Sequence, residues 1–262
     1  MKQKYSVLLP FICRCTKLSS YIFFISITLF SCASSSDQST ASNDTRSSRD
    51  TTYKSIVIDG KIWFSENLHT AQFRNGDKIP CANSSDEWIQ MNEKQQPAYA
   101  FFNFDSSNFA KIGMIYNWYA INDPRNVCPI GWSIPSEEDW NRLALYCDSA
   151  YGKHLDIDDL ENSYSGTREL LGSSNWDTKG TNQTSFSALP GGFIDDQGTC
   201  SLNEFTTGWW SYNQAYPSRL QQDNPPCEDC AYCFMVNGLG KDYHNVASKG
   251  FGLYVRCISE QP

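Results

Sequence analysis

Cys128-Pro129-Ile130-Gly131-Trp132-Ser133-Ile134-Pro135-Ser136-Glu137-Glu138-Asp139-Trp140-Asn141-Arg142-Leu143-Ala144-Leu145-Tyr146-Cys147 carries the clearest helix signal of the chain. Ser136 is placed to cap the amide of Asp139, and Glu137, Glu138 and Asp139 face the positive end of the helix dipole. Trp140, Leu143, Ala144 and Cys147 then fall at i, i+3, i+4 and i+7, which is one buried stripe. The helix is expected to end near Cys147. A weaker helical stretch is expected within 166–171.

On either side of this helix the patterns are those of short strands. Ile56-Val57-Ile58-Asp59-Gly60-Lys61-Ile62-Trp63-Phe64 sets an Asp-Gly turn between two apolar, β-branched and aromatic runs and reads as a hairpin. The aromatic runs Tyr99 to Phe104 and Met114 to Ile121 are too short for periodicity to decide; either is compatible with a strand, and the second with the start of a short helix. From Asn175 to Gly208 the chain is rich in Gly, Ser, Thr, Asn and Asp, with Ala188-Leu189-Pro190-Gly191-Gly192-Phe193 as its compact apolar island, so long irregular loops are expected. Strand signals return at Ala231 to Val236, Tyr243 to Ala247 and Gly250 to Cys257. A lone helix early and short strands late describe an α+β domain.

The first 31 residues carry Lys2, Lys4, Arg14 and Lys17 without an acid, then the apolar run Tyr21 to Phe30, then Ser31. Basic, apolar and small, in that order, is a secretion signal. The apolar run is about half of the ~20 residues a membrane-spanning helix needs. Leu29-Phe30-Ser31-Cys32 fits the pattern cleaved and acylated in bacterial lipoproteins, with bulky Phe30 as its one poor position, which makes Cys32 the expected lipidation site. Acyl chains contribute about 0.8 kcal/mol per buried methylene, enough to hold a soluble domain at a membrane without a helix. Ala33 rather than Asp after the lipidated cysteine favours the outer membrane, at the cell surface or on the periplasmic face. The expected organisation is a signal over 1–31, a flexible tether over 32–50 with almost nothing apolar to bury, and one domain over 51–262.

Removing the four basic residues of the signal from the 21 in the chain leaves 17 against 29 acids, a formal charge of −12. Such a surface repels phosphate backbones, so nucleic acid is not an expected partner. Of eleven cysteines, Cys13 and Cys15 leave with the signal and Cys32 takes lipid. The eight that remain, at 81, 128, 147, 200, 227, 230, 233 and 257, are an even set in an exported chain, so complete pairing into four disulfides is expected, in a connectivity that spacing does not choose.

Six motifs in order then resemble a known family. Ile62-Trp63-Phe64-Ser65-Glu66-Asn67-Leu68, Tyr116-Asn117-Trp118-Tyr119-Ala120, Cys128 to Ser136 followed by Glu138 and Trp140, Phe186-Ser187-Ala188-Leu189-Pro190-Gly191-Gly192, Trp209-Trp210-Ser211 and Val255-Arg256-Cys257 are similar to the successive motifs of the fibrobacter succinogenes major paralogous domain family. They cover nearly everything from Ile56 to Ile258. The resemblance implies a bacterial surface lipoprotein domain with a C-type-lectin-like fold, that is, short strands, one or two helices and long disulfide-stapled loops, similar also to formylglycine-generating enzymes. It implies no defined activity; adhesion to polysaccharide or to other cells is the usual suggestion. Cys128 and Cys257 match the long-range bridge of lectin-like domains, so the resemblance implies a disulfide between them. There are two departures: Tyr212-Asn213-Gln214 stands where the family tends to read Ser-Thr-Glu, and Tyr216 to Cys230 looks like an insertion in the loop where lectin-like folds carry their ligand surface.

Catalytic and metal-binding constellations are hard to assemble. Cys227, Cys230 and Cys233, with His244, form one cluster where structural zinc usually presents two separated pairs, and disulfides to Cys81, Cys147 or Cys200 are the simpler account in an oxidising compartment. A thiol oxidase of the formylglycine-generating type needs free, activated thiols, whereas Glu228 and Asp229 beside Cys227 and Cys230 would raise a thiol pKa. Only three histidines occur, with no Gly-x-Ser-x-Gly or His-Glu-x-x-His. Asp156 to Asn162 begins like a calcium loop, but Glu161 and Thr167 stand at the glycine and final glutamate positions of an EF-hand. No enzyme activity, cofactor or metal is therefore expected.

The tryptophans Trp63, Trp118, Trp132, Trp140, Trp209 and Trp210 lie in the family motifs beside apolar residues and read as core. Tyr212, Asn213, Tyr216, Asn237, Asp242, Tyr243 and Asn245 fall in the expected ligand-facing loops, where stacking faces, amides and a carboxylate suit sugar hydroxyls. The expected function is adhesion, or binding of a polysaccharide or surface protein, by a domain held to the membrane through its lipid. The alternatives are a structural component of envelope assembly and the thiol or metal oxidase.

Overall fold

The hairpin expected over 56–64 forms as drawn: β1 (Ser55–Ile58) pairs antiparallel with β2 (Lys61–Phe64), Ile58 opposite Lys61. Asp59 and Gly60 both have positive φ, 47° and 73°, the geometry of the two-residue turn that an Asp-Gly pair supplies. The computed structural model describes residues 53–108, 112–151, 170–172, 176, 180–202, 206–215, 229–238 and 242–259, with the backbone alone at 151 and 242–245. The signal, the tether with Cys32, the Asp156 calcium-like stretch, most of the second helical stretch and Cys227 lie outside them.

Within these residues a few helices and several small antiparallel sheets make an α+β fold. After the hairpin come α1 (Ser85–Glu93), β3 (Tyr99–Ala100), β4 (Ile115–Tyr116), α2 (Trp118–Ile121) and α3 (Glu137–Tyr151). The chain ends in β5 (Phe193–Ile194), β6 (Cys200–Ser201), β7 (Thr207–Gln214), β8 (Cys230–Val236), β9 (Asp242–Ser248) and β10 (Ile258–Ser259). Strand order is β1-β2-β10 in one sheet and β7-β8-β9 in another; β3-β4 and β5-β6 are two-stranded. The run 114–121 is thus both a strand and a helix. Asn117 makes the switch, its side chain accepting from the amides of Ala98 and Ala120 while donating to the carbonyl of Gln96.

The helix predicted after Pro135 is α3. Ser136 Oγ accepts from the Asp139 amide at 3.0 Å, and Asp139 Oδ2 accepts in return from the Ser136 amide at 2.8 Å, a reciprocal capping box. Trp140, Leu143, Ala144 and Cys147 are all buried. The helix runs one turn beyond the expected end at Cys147, through Tyr151. α1 was not anticipated: its apolar periodicity is weak, with Trp88 its one fully buried residue, and it is held by a Ser84 cap and by Trp88 Nε1 donating to the Gly250 carbonyl.

Gly250 to Cys257 was read as one strand. It is instead a buried extended segment whose backbone is shared among elements. Gly252 donates to Ile194, Leu253 to Tyr116 and Tyr254 to Gly208, while the carbonyls of Val255 and Cys257 accept from Leu68 and Phe64. Two glycines let the chain come this close: a Cβ at Gly191 would stand 2.5 Å from the Tyr254 ring, and one at Gly252 would stand 2.4 Å from Ile115. The same segment carries the disulfide Cys128–Cys257, which closes a loop across 129 positions. Cys230 is also disulfide-bonded. Complete pairing is not observed, since Cys81 and Cys200 are free thiols. Each packs in a partly buried position beside aromatic neighbours, where a small apolar side chain suffices.

Candidate functional site

The six sequence motifs converge inside the molecule. Arg256 is fully buried and spends its guanidinium on neutral acceptors: Nε donates to Asn67 Oδ1 at 2.9 Å, and Nη1 donates to the carbonyls of Phe64 at 3.0 Å and Phe186 at 2.5 Å. Its plane lies 4.2 Å from the Phe186 ring. Asn67 Oδ1 also accepts from Trp209 Nε1 at 2.9 Å, and Asn67 Nδ2 donates to Ile112. Burial lowers the Arg256 pKa to about 9, opposed by the field of Glu66. Around this hub Trp63, Trp140, Phe186, Trp209 and Phe234 stack in mutual contact. All six motif tryptophans are buried, as expected of core. This arrangement joins four separated segments inside the core.

The surface offers a different feature. Large exposed apolar side chains among the described residues are Val57, Ile130, Leu145, Leu202 and Tyr212, and Tyr212, 52% exposed, is the aromatic among them. It sits on a bulge in β7. Trp210 pairs with Cys233 and Gln214 with Ala231, so four steps along β7 match two along β8, and the surplus residues swing out of the ladder.

The bulge is tied down against the amino end of α3. The Tyr212 amide donates to the Pro135 carbonyl at 3.0 Å, and Trp118 Nε1 donates to the Ser211 carbonyl at 3.3 Å. Asn213 Oδ1 accepts from the Glu137 amide at 2.7 Å and from Ser211 Oγ at 3.0 Å. Asn213 thereby satisfies one of the orphan amides that open a helix. The Tyr212 side chain is left half exposed on a backbone held at both neighbouring residues. Nothing in the sequence announced Glu137 as a neighbour, because the contact crosses 76 positions.

Of the other residues expected at the ligand face, Asn237 is the one whose side chain is described. Asn237 is 1% exposed and belongs to the interior, which corrects its assignment to a ligand surface: it follows directly on buried Val236 as β8 ends inside the sheet. Tyr216 lies outside the described residues, and Asp242, Tyr243 and Asn245 lie on β9, where the backbone alone is described.

A shallow depression of about 180 Å³ lies between the hairpin and α3, lined by Asp59, Lys61, Trp63, Asp139 and Arg142 among others. Its charges are paired: Lys61 Nζ contacts Asp139 Oδ1, and Arg142 Nη2 lies 2.8 Å from Asp59 Oδ2. Burial works to raise the Asp139 pKa, but the Lys61 contact and the two Ser136 donors outweigh it and hold the carboxyl below its usual range. Among the described residues no three His, Cys, Asp or Glu side chains are grouped to hold a metal. Burial pushes the thiols of Cys81 and Cys200 up, and that of Cys233 to about 12. Raised thiols are poor nucleophiles and ligands.

A family model described as the Fibrobacter succinogenes major domain matches residues 56–259. No curated protein and no solved structure matches the chain. The match begins in the hairpin, ends in β10 and takes in the Arg256 hub and the Tyr212 bulge, so that on well over half of its length the chain belongs to the Fibrobacter succinogenes major domain family.

Proposed function

We propose that this is a surface-binding domain, tethered by lipid on Cys32 to the outer membrane and adhering through a glycan or protein ligand that docks on the Tyr212 bulge. The observation that carries this reading is one exposed aromatic held rigidly among buried ones: a Tyr face at low conformational cost is what a binding surface uses, and a bulge is how a strand re-aims a side chain. The lectin-like fold proposed with it accords with the small sheets and with the Cys128–Cys257 bridge. No helix among the described residues is long and apolar enough to cross a membrane.

Less supports the alternatives. Among the described residues the other large exposed apolar side chains are four, Val57, Ile130, Leu145 and Leu202, each on a different stretch of the chain, which gives little support to the broad apolar patch that envelope packing would need. The raised thiols give no support to an oxidase, and we read the protein as non-catalytic. The test is retention of the chain on insoluble plant and microbial polysaccharides and on intact cells, with Tyr212→Ala as the control. The reading expects retention by the parent and its loss in the variant; equal retention of both would overturn it.

A further inference from the structure

We infer that the free edge of β1 is an interaction surface for a second copy of this chain on the same membrane, an inference that rests on the lipid anchor proposed above. The ladder shows which backbone groups are spare. The Ser65 amide donates to the Lys54 carbonyl, while the Phe64 amide turns away from β1 to the Cys257 carbonyl. Alternation then points the N–H and C=O groups of Ile56 and Ile58 at β2, and those of Ser55 and Val57 outward. In its sheet β1 pairs with β2 alone, and among the described residues nothing bonds to the outward groups. Val57 is 66% exposed and Ser55 is exposed beside it, so the edge lies open to an approaching strand.

Charge favours a second copy as that strand. The charged residues in contact with the hairpin balance, Lys54, Lys61 and Arg142 against Asp59, Glu66 and Asp139, and Lys61 pairs with Asp139 as Arg142 does with Asp59. Two copies of an acidic chain therefore meet at this edge without like charges facing each other. No proline or bulge interrupts Ser55 to Ile58. Antiparallel pairing about a twofold axis at Ile56 sets Ser55 of one copy opposite Val57 of the other, a register that engages every outward group of both strands.

The tether decides where the pair forms. Tyr53, stacked on Phe64 at 4.5 Å, fixes the chain two residues before β1. A coil of about 20 residues from Cys32 to this point has a root-mean-square reach of about 25 Å, so β1 is the strand nearest the lipid along the chain. Strands of four residues make a contact smaller than a stable interface needs. Anchoring to one surface supplies the local concentration that such a contact lacks in dilute solution.

The experiment uses the full-length lipidated chain in phosphatidylcholine vesicles, half of it carrying a donor and half an acceptor fluorophore on a carboxy-terminal tag. Mass spectrometry of the amino-terminal peptide reads the lipid on Cys32. Energy transfer above that of randomly mixed anchors is expected for the parent in vesicles, and none for the parent diluted in detergent. It is expected to be lost in Val57→Pro, which deletes an outward N–H that β2 does not use, and in Val57→Lys, which sets a cation on the edge. Copies carrying Ser55→Cys and Val57→Cys are expected to cross-link to each other on oxidation, beyond the yield for the exposed Leu145→Cys on α3, with the linked peptides identified by mass. Transfer no greater than random mixing in the lipidated parent, transfer that survives both Val57 substitutions, or a cross-link no greater than that of Leu145→Cys would overturn the edge inference and leave the anchored reading standing. An amino terminus without lipid on Cys32 would overturn that reading and this inference with it.

Discussion

The Arg256 hub and the Tyr212 bulge lie on neighbouring stretches of the same fold and are built to opposite ends. In the hub, Asn67, Phe64, Phe186, Trp209 and Arg256 come from four family motifs, are all buried, and satisfy one another. In the bulge, Tyr212 is half exposed, and among the described residues its recorded hydrogen bond is made by its backbone. The contrast teaches that the motifs defining the family are instructions for folding. Membership alone therefore assigns no ligand to this chain.

The contrast can be broken by substitution. The largest effect is expected from Cys128→Ala with Cys257→Ala. A loop of this length contributes about 4–5 kcal/mol in the chain-entropy model, so the denaturant midpoint should fall sharply. Arg256→Met should come next. It keeps the stem and its packing but withdraws the guanidinium from the carbonyls of Phe64 and Phe186 in the core and leaves Asn67 Oδ1 with the Trp209 indole alone, a loss of about 3–4 kcal/mol by urea unfolding, with no change in ligand preference at whatever stability remains. A loss below 1 kcal/mol would mean that the hub is not what joins these segments.

Smaller effects sharpen the comparison at the joint between hairpin and helix. Ser136→Ala removes the α3 cap and should cost about 1 kcal/mol. Asp139 has a folded-state pKa below its unfolded value. Its contribution is therefore present above about pH 4, the unfolded range for an aspartate, and is lost as pH falls through the folded value. Unfolding midpoints followed from pH 6 to pH 2 should decline less steeply in Asp139→Asn than in the parent; parallel declines would show that this carboxyl is not a source of acid sensitivity.

Much of the fold was legible because its signals are local. Asp59-Gly60 dictates a hairpin turn, and Ser136 with Asp139 and the stripe from Trp140 to Cys147 dictates α3. The Cys128–Cys257 bridge came from resemblance, and the structure contains it. Illegible parts depend on distant partners. α1 is fastened to the domain by long-range contacts, the Trp88 indole and Asn92 both donating to Gly250 and Ser85 to Gly198, and Gly250 to Cys257 shares its hydrogen bonds among five segments rather than with one neighbouring strand. Complete cysteine pairing is expected from an even count, and a count carries no distances; Cys81 and Cys200 stand instead as free, partly buried thiols. Of the candidate site, Tyr212 and Asn213 were named in advance as loop residues. What placed them together was the two-residue surplus in β7, which no periodicity announces, and Asn237 was misassigned because burial at a strand end cannot be read from a polar residue type.

The central claim is that Tyr212 is spared from folding in order to bind. It is tested most directly by measuring Tyr212→Ala twice, by urea unfolding and by retention on the insoluble polysaccharides and intact cells. The account predicts a stability change within about 0.5 kcal/mol, as for other exposed sites, together with loss of retention. A variant that unfolds early, or one that is as stable as the parent and retained as well, would contradict it.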